Sequence, residues 1–186
     1  PTPVPCDNLE AYNTGLIQGQ SALFLGWGGA GGDAEVSTAQ SVSGSQSLHI
    51  FDSGTNGFSD IVAYFDTIDN GAWEIGFNMY VPTGKAGYFN VQQNHNLTNP
   101  VAPLNLWGGE VYFKADGTGE VQYSTGSIVA GTFTYTQGQW NAVSMVVDLA
   151  NDTIWLKLNG TSTGVGYQYS LANAGGPLQF NGVNFF

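Results

Sequence analysis

An antiparallel β-sandwich is the fold this sequence predicts, on three observations. No stretch carries apolar side chains at helical spacing. Short runs instead alternate apolar and polar residues, and Gly, Asn and Asp turns separate them. The chain has 186 residues, a length that suits one domain able to bury roughly 70% of its unfolded surface. A core is therefore attainable without staples, and the single cysteine, Cys6, excludes an internal disulfide and a cysteine-based zinc site.

The elements follow in order. Residues 1–6, with Pro1-Thr-Pro-Val-Pro5, read as a linker or mature N-terminus, and residues 7–186 as one domain. The chain starts at Pro1 rather than Met, so we expect a processed or excised domain whose signal peptide is gone. Residues 7–12 are expected to form a first strand. Residues 15–32, ending in Gly26-Trp-Gly-Gly-Ala-Gly-Gly32, read as a long loop, and Ser47-Leu-His-Ile-Phe51 as a strand.

The middle is the most regular. In Trp73–Val81 one face holds Trp73, Ile75, Phe77, Met79 and Val81, and the other Glu74, Gly76, Asn78 and Tyr80. Pro82-Thr-Gly84 turns the chain. Phe89 and Val91 then point inward, with Tyr88, Asn90 and Gln92 opposite. Leu104, Leu106, Val111 and Phe113 form the next apolar set; Asn105, Trp107, Glu110, Tyr112 and Lys114 oppose them. Asp116-Gly-Thr-Gly119 is a tight hairpin signal, because glycine accepts positive φ. Residues 139–148 and 153–158 form a second hairpin, closed by Asn159-Gly160. Residues 178–180 and 182–186 are strand-like, and no repeat at a fixed period is present.

Charge excludes whole classes of partner. Lys+Arg total 3 against 14 Asp+Glu, a net charge of −11. Such a chain cannot neutralise a phosphate backbone, so no nucleic acid is expected. Anionic membranes and sulfated or uronate polymers are disfavoured on the same ground. No apolar run approaches ~20 residues, so no membrane insertion is expected.

A sandwich needs one apolar face per sheet, and the other face is normally bland. Here it collects Asn78, Tyr80, Tyr88, Asn90, Gln92, Asn105, Trp107 and Tyr112. Rings stack on the apolar faces of sugars, and planar amides bond hydroxyls in pairs, so the set suits a neutral glycan. The competing reading packs these rings under the loops 15–32 and 93–103. Trp27, in the Gly-rich loop, reads equally as a stacking residue or a lid. Trp140 opens a strand of core residues and is expected to be structural. Trp155 reads as a second platform or as an inter-sheet contact.

Catalysis finds little support. Glycosidases need paired carboxyls at a fixed separation. Glu74 and Glu110 share the proposed ligand face by alternation, with Glu120 nearby, which makes a glycoside hydrolase the alternative to test. The Glu-x-Asp-x-x-Glu strand of laminarinase-type enzymes is absent, and so is the two-glutamate pattern of small jelly-roll xylanases. The chain has no arginine, which jelly-roll lyases need, and its His95 sits in Gln92-Gln-Asn-His95. No Gly-x-Ser-x-Gly elbow accompanies His49 or His95. His49 reads as a surface strand residue and His95 as a loop residue within reach of ligand. The acidic surplus leaves calcium open at Asp7 and Glu10, or at Asp33 and Glu35, against plain solubilising charge.

Asp7-Asn-Leu-Glu-Ala-Tyr12, Gly19-Gln-Ser21, Val42-Ser-Gly-Ser-Gln-Ser-Leu48 and Tyr80-Val-Pro-Thr-Gly-Lys-Ala-Gly-Tyr-Phe-Asn90 are followed by Phe133-Thr-Tyr-Thr-Gln-Gly-Gln-Trp140 and Val146-Val-Asp-Leu-Ala-Asn-Asp152. In this order they resemble the concanavalin A-like, laminin-G-like jelly-roll domains of secreted Bacteroidota multidomain proteins. The resemblance implies a non-catalytic accessory domain, extracellular or at the cell surface, exported by type IX secretion beside flanking domains. It implies a glycan, here a neutral polysaccharide, on the concave sheet, and a structural Ca2+ to which Glu10 and Ser43-Gly44 would be the counterparts. The alternative is a protein-contacting adhesin or spacer with no sugar site. Such domains usually finish with a Tyr-x-x-Asp-Asp-like strand paired to the first strand, whereas this chain stops at Phe185-Phe186. An exposed edge beside residues 7–12 is therefore expected, open to β-addition or self-association.

Overall fold

The computed structural model describes residues 6–27, 32–52, 58–96, 105–123, 126–173 and 176–186. Their strands are β1 (Gly15–Leu16), β2 (Phe24–Gly26), β3 (Glu35–Ser37), β4 (Ser47–His49), β5 (Ile61–Ile68), β6 (Ala72–Tyr80) and β7 (Gly87–Asn94). The second half adds β8 (Leu106–Phe113), β9 (Thr118–Tyr123), β10 (Ile128–Thr134), β11 (Trp140–Asp148), β12 (Thr153–Leu158), β13 (Thr161–Gln168) and β14 (Phe180–Phe185). A seven-stranded sheet, β10-β9-β8-β7-β14-β5-β2, forms the front layer. Behind it lie a four-stranded sheet, β13-β12-β11-β6, and a three-stranded sheet, β1-β3-β4. Every strand ladder is antiparallel.

Alternation builds the main core. Phe89 and Val91 of β7, Val111 and Phe113 of β8, Val121 of β9 and Val183 of β14 are buried on the inner face of the front sheet. Val143, Met145 and Val147 of β11 and Ile154 and Leu156 of β12 meet them from behind. Phe77 of β6 sits edge-on to Phe89, centroids 4.9 Å apart, and to Phe185, 5.0 Å. Each such side chain contributes ~1.5–3 kcal/mol by leaving water, which outweighs any single turn. A smaller cluster, Ile17, Phe24, Ala34, Val36 and Ile61, lies under the three-stranded sheet, and Phe185 packs against both clusters.

The sandwich and both hairpins stand as expected. The β8–β9 turn places Gly117 at φ +85°, with Asp116 Oδ1 accepting from the Thr118 N–H at 2.9 Å. Asn159 (φ 50°) and Gly160 (φ 77°) supply the two successive left-handed residues that a two-residue β12–β13 turn demands.

Other expectations are corrected. Residues 7–12 form no strand: Asp7 Oδ1 accepts from the Leu9 N–H at 2.7 Å and Oδ2 from the Tyr12 hydroxyl at 2.5 Å. The aspartate side chain satisfies the backbone locally and so competes with a ladder. The edge expected beside these residues therefore does not exist. The 15–32 segment is not all loop but contributes β1 and β2. Leu178 is exposed and precedes β14 rather than belonging to a strand. Leu104, most of the 93–103 loop, residues 28–31 and Pro1–Pro5 lie outside the described residues.

Candidate functional site

The outer face of the front sheet gathers the polar residues. Paired strands put directly opposed side chains on one side. Tyr88 stands opposite Tyr112, Asn90 opposite both Glu110 and Asn184, and Gln92 opposite Gly182 and Trp107. Trp107 reaches this face only through an irregularity in the β7–β8 ladder, where the register shifts between Val91 and Gln92. Glycine is required there. A Cβ on Gly108 would stand 2.5 Å from the Tyr169 hydroxyl, and one on Gly109 2.6 Å from that of Tyr167.

These side chains form one hydrogen-bonded network. Tyr88 and Tyr112 both donate to Glu110 Oε1, at 3.1 and 3.0 Å. Asn90 Nδ2 donates to the Tyr88 hydroxyl at 2.9 Å and to Asn184 Oδ1 at 3.0 Å. Gln92 Nε2 donates to Asn90 Oδ1, and Asn184 Nδ2 donates to Asp60 Oδ1 at 2.6 Å. The network thus runs from one carboxylate, Asp60, to another, Glu110, through two amides and a phenol, with Gln92 as a branch on Asn90. Burial, and then the Glu110 charge, push the Tyr112 hydroxyl up to about 12. The same two causes push Tyr88 further. Both phenols therefore stay protonated and remain donors. Burial also raises the Asp60 carboxyl, partly offset by Asn184.

Several members lack partners for part of their hydrogen-bonding capacity. Asn90, Gln92, Glu110 and Asn184 are buried, with Glu110 only 2% exposed. Among the described residues, the buried side-chain atoms with no partner are Gln92 Oε1, Gln93 Nε2, His95 Nδ1, Asn105 Nδ2, Glu110 Oε2 and, elsewhere, Gln18 Nε2. Five of these six belong to β7, to β8 or to residues adjoining them. Folded proteins leave few buried polar groups unsatisfied, so this concentration calls for a cause.

Aromatic rings border the network. Tyr112 and Tyr88 lie 4.7 Å apart, Tyr88 and Phe186 6.3 Å, and Phe186 and Phe58 5.3 Å. Phe186 and Phe58 are 55% and 48% exposed, so this end of the row opens to solvent. At the other end the His95 ring lies 4.9 Å from Trp27 and 6.2 Å from Tyr64. Burial holds His95 below the usual histidine range. Asn181 clasps its backbone, accepting from the His95 N–H at 2.7 Å and donating to its carbonyl at 3.1 Å. Trp27 is fixed by its N–H, which donates to the Asp60 carbonyl at 2.7 Å, while the Asp60 N–H donates to Gly32 at 2.8 Å.

The structure brings Trp107, Tyr88, Asn90, Gln92 and Tyr112 together on this face. Asn105 borders it, accepting from the Asn96 N–H at 2.8 Å. Asn78 and Tyr80 do not join them: both lie on β6, on the outer face of the four-stranded sheet. Alternation assigns a side of a strand but not which sheet the strand enters. Glu74 shares that rear face, where Lys157 donates to it at 2.8 and 2.9 Å and Ser144 at 2.6 Å. Glu74 and Glu110 thus stand on opposite sides of the sandwich, and the paired-acid hydrolase reading fails on geometry. Trp140 is not a core residue; it faces outward, 5.6 Å from Tyr80. Trp155, between inward Ile154 and Leu156, also faces outward, which removes the inter-sheet reading.

The residues offered for calcium do not fit it. Glu10 Oε1 accepts from the Ser45 and Gln46 N–H groups, both at 3.0 Å, and Oε2 from the Ser45 hydroxyl at 2.8 Å. The Ser45 backbone donor leads in holding its carboxyl below the usual range. Donors converge on this carboxylate, whereas a cation needs oxygen lone pairs. Ser43 makes none of these bonds, and Asp7 is engaged with Leu9 and Tyr12. Asp33 likewise accepts backbone N–H groups, from Ala34 at 2.7 Å and Gln18 at 3.1 Å. Glu35 instead meets the exposed His49 at 3.4 Å. Among the described residues no three His, Cys, Asp or Glu side chains form a metal-binding group.

Sequence reasoning missed Asp60, Tyr64, Asn184, Phe58 and Phe186. For β14 a signal existed. With Val183 and Phe185 inward, alternation places Asn184 and Phe186 on the opposite face. Tyr64 sits in the continuous apolar run Ile61–Phe65, where no alternation shows.

No family model matches the chain, and no curated protein does. Solved structures share its fold. A chain named "Sialidase" superposes with a TM-score of 0.56 at 11% identity, over all of this chain and 15% of the sialidase chain. The protein thus spans about one seventh of that neighbour. A mutant of the alginate lyase Aly36B in complex with an alginate tetrasaccharide gives a TM-score of 0.48 at 11% identity, over 96% of this chain and 83% of that one. At this identity the likeness to the sialidase chain shows the β-sandwich fold alone and nothing about activity.

Proposed function

We propose that the protein is a non-catalytic glycan-binding domain that takes a neutral, hydroxyl-rich saccharide on the outer face of its seven-stranded sheet. The observation that carries this reading is the ring row Tyr112, Tyr88, Phe186 and Phe58, open to solvent at Phe186 and Phe58, beside a network of amides and phenols able to give and accept hydrogen bonds. A cation satisfies only acceptors and an anion only donors. A sugar hydroxyl both donates and accepts, so it answers both kinds.

Charge and rings agree. Two of the three cations are engaged: Lys157 with Glu74 on the rear face, and Lys114 with Glu120. No cation joins the Glu110–Asp60 network to hold a carboxylated sugar. The row Tyr112, Tyr88, Phe186 and Phe58 offers faces for stacking. The likeness to part of a sialidase is in keeping with a carbohydrate partner, and the shared motif order supports a secreted or cell-surface accessory domain beside flanking domains.

Affinity electrophoresis through gels containing neutral glycans or alginate tests the reading. We expect the protein to be retarded by a neutral glycan and not by alginate. Glu110→Gln and Trp107→Ala should each weaken retention at least tenfold, in keeping with ~1–3 kcal/mol for an aromatic anchor or a buried polar contact. Silence across a broad neutral array, or retention unchanged in both variants, would overturn it.

A further inference from the structure

The polar network and the ring row run side by side across the same strands. Side chains two residues apart on a strand share a face and stand roughly 7 Å from each other. Glu110 and Tyr112 are so placed on β8, Asn90 and Tyr88 on β7, and Asn184 and Phe186 at the end of β14. Asp60 and Phe58, just ahead of β5, continue both lines. The two amides of the polar line are buried, Asn90 being 1% and Asn184 4% exposed. Their way to a stacked ligand is therefore through Tyr88, the half-buried ring whose hydroxyl they hold.

The direction of this line is forced from its Asp60 end. A carboxylate only accepts. Asn184 must therefore turn Nδ2 towards Asp60 Oδ1, at 2.6 Å, which leaves its Oδ1 for Asn90. Asn90 Nδ2 gives one hydrogen to Asn184, at 3.0 Å, and the other to the Tyr88 oxygen, at 2.9 Å. With its oxygen met by a donor, Tyr88 sends its own proton to Glu110, at 3.1 Å. A neutral group in place of the Asp60 carboxylate donates as well as accepts, and the constraint is lifted. Asn184 is then free to turn over, and Asn90 with it, which sets Asn90 Oδ1 against the Tyr88 oxygen. Tyr88 would stand between two acceptors with one proton to give.

We propose that Asp60 is a positioning residue for the glycan face: its carboxylate, acting through Asn184 and Asn90, sets the hydrogen-bond direction that holds the Tyr88 ring in the stacking row. The role rests on the glycan reading and adds its regulation, since the row is in order only while Asp60 is ionised. Burial raises the Asp60 carboxyl, partly offset by the Asn184 bond. On acidification it therefore takes up its proton above the ordinary aspartate value of about 4, and retention falls there. The other ionisable groups on the surrounding elements are Tyr64 of β5, Tyr88 of β7, and Glu110 and Tyr112 of β8. Beside them stand His95 against Trp27, Asp52 bridged to Phe58, and Asp33, which follows Gly32 and accepts from Ala34 and Gln18. An Asp60 variant keeps all of these, so the difference between its pH profile and that of the unaltered protein isolates Asp60.

The test compares Asp60→Asn, close in shape but neutral, with the unaltered protein. Side-chain amide and aromatic NMR is recorded without glycan, and affinity electrophoresis on a neutral glycan from about pH 7 to about pH 4. We expect the substitution to move the side-chain signals of Asn184, Asn90 and Tyr88 together, although the last two lie beyond Asn184 in the line. Retention at neutral pH should weaken roughly tenfold, the effect of losing one hydrogen bond to a charged group, and should vary less with pH than in the unaltered protein. In the unaltered protein the same signals should move on acidification together with retention, a measurement that needs no variant. Changes confined to Asn184 and to Trp27 and Gly32, whose backbones Asp60 also holds, would show a local structural role and overturn the proposal. Retention and pH profile unchanged in the variant would overturn it too. Retention in neither protein, with Asn90 and Tyr88 still responding, would overturn the glycan reading and leave the Asp60 relay supported.

Discussion

The two outer faces of this sandwich start from the same alternation and end in opposite states. On the rear face, Glu74 meets Lys157 and Ser144 in an exposed cluster with both carboxylate oxygens engaged. On the front face, Glu110 is buried, two phenols share one of its oxygens, and the other has no partner. A satisfied, solvated carboxylate needs nothing further. A buried, half-satisfied one is costly unless something completes it. The two acids thus differ in burial and in hydrogen bonding, although alternation alone gives them the same outward place.

The largest test exchanges the two acids. Glu110→Ala removes the shared acceptor of two partly buried phenols, and each unsatisfied donor costs ~1–3 kcal/mol. We expect a loss of about 2 kcal/mol or more, seen as a Tm lower by roughly 4–8 °C at this chain length. Glu74→Ala should leave Tm and glycan retention nearly unchanged, since its pair is exposed. Comparable losses in both variants would erase the contrast.

Next is the ladder irregularity that turns Trp107 forward. In Gly108→Ala the new methyl meets the Tyr169 ring, so we expect a cost of ~1–3 kcal/mol in thermal unfolding, together with weaker retention. Gly76→Ala, whose Cβ meets Ser144 Cβ only at 3.5 Å, is the tolerant counterpart on the rear face.

Acidification gives a smaller signal. Burial lowers the His95 pKa, so the unfolded chain binds that proton more readily than the folded one. Its contribution is whole above the unfolded value of about 6.5 and is lost as pH falls through the lower folded value. Denaturant midpoints should therefore drop between pH 7 and 5, and His95→Gln should flatten that part of the profile. A profile identical in the variant would remove His95 as the cause. The carboxyls of Glu10, Asp116 and Asp148, held low mainly by hydrogen-bond donors, add a separate loss near and below pH 4.

The smallest structural effect should accompany Phe186→Ala. Its ring is mostly exposed, so Tm should hold while affinity electrophoresis shows weaker retention. Tyr80→Ala on the rear face should leave retention alone.

Much of this architecture was legible because strand alternation is local. Trp73 to Val81 and Gly87 to Gln92 declare their inner and outer sides directly. What alternation cannot convey is which sheet a strand joins, and Asn78 and Tyr80 were assigned to the wrong one for that reason. β5 was hidden by its unbroken apolar run, and β10 and β13 by glycines and threonines whose pairing depends on distant neighbours. The expected 7–12 strand failed because the Asp7 side chain takes the Leu9 N–H that a ladder would use. Glu110 was noticed as an acid, but its buried, half-bonded state arises from Tyr88 and Tyr112 meeting across two strands.

The double clasp of Asp60 on Trp27 and Gly32 ties two backbone posts to one residue. Chain can be added or exchanged between those two posts without disturbing the wall they are set in, since longer loops raise closure entropy only slowly. The Asp60 carboxylate also anchors the amide chain leading to Glu110, so one residue holds both the backbone posts and the polar network.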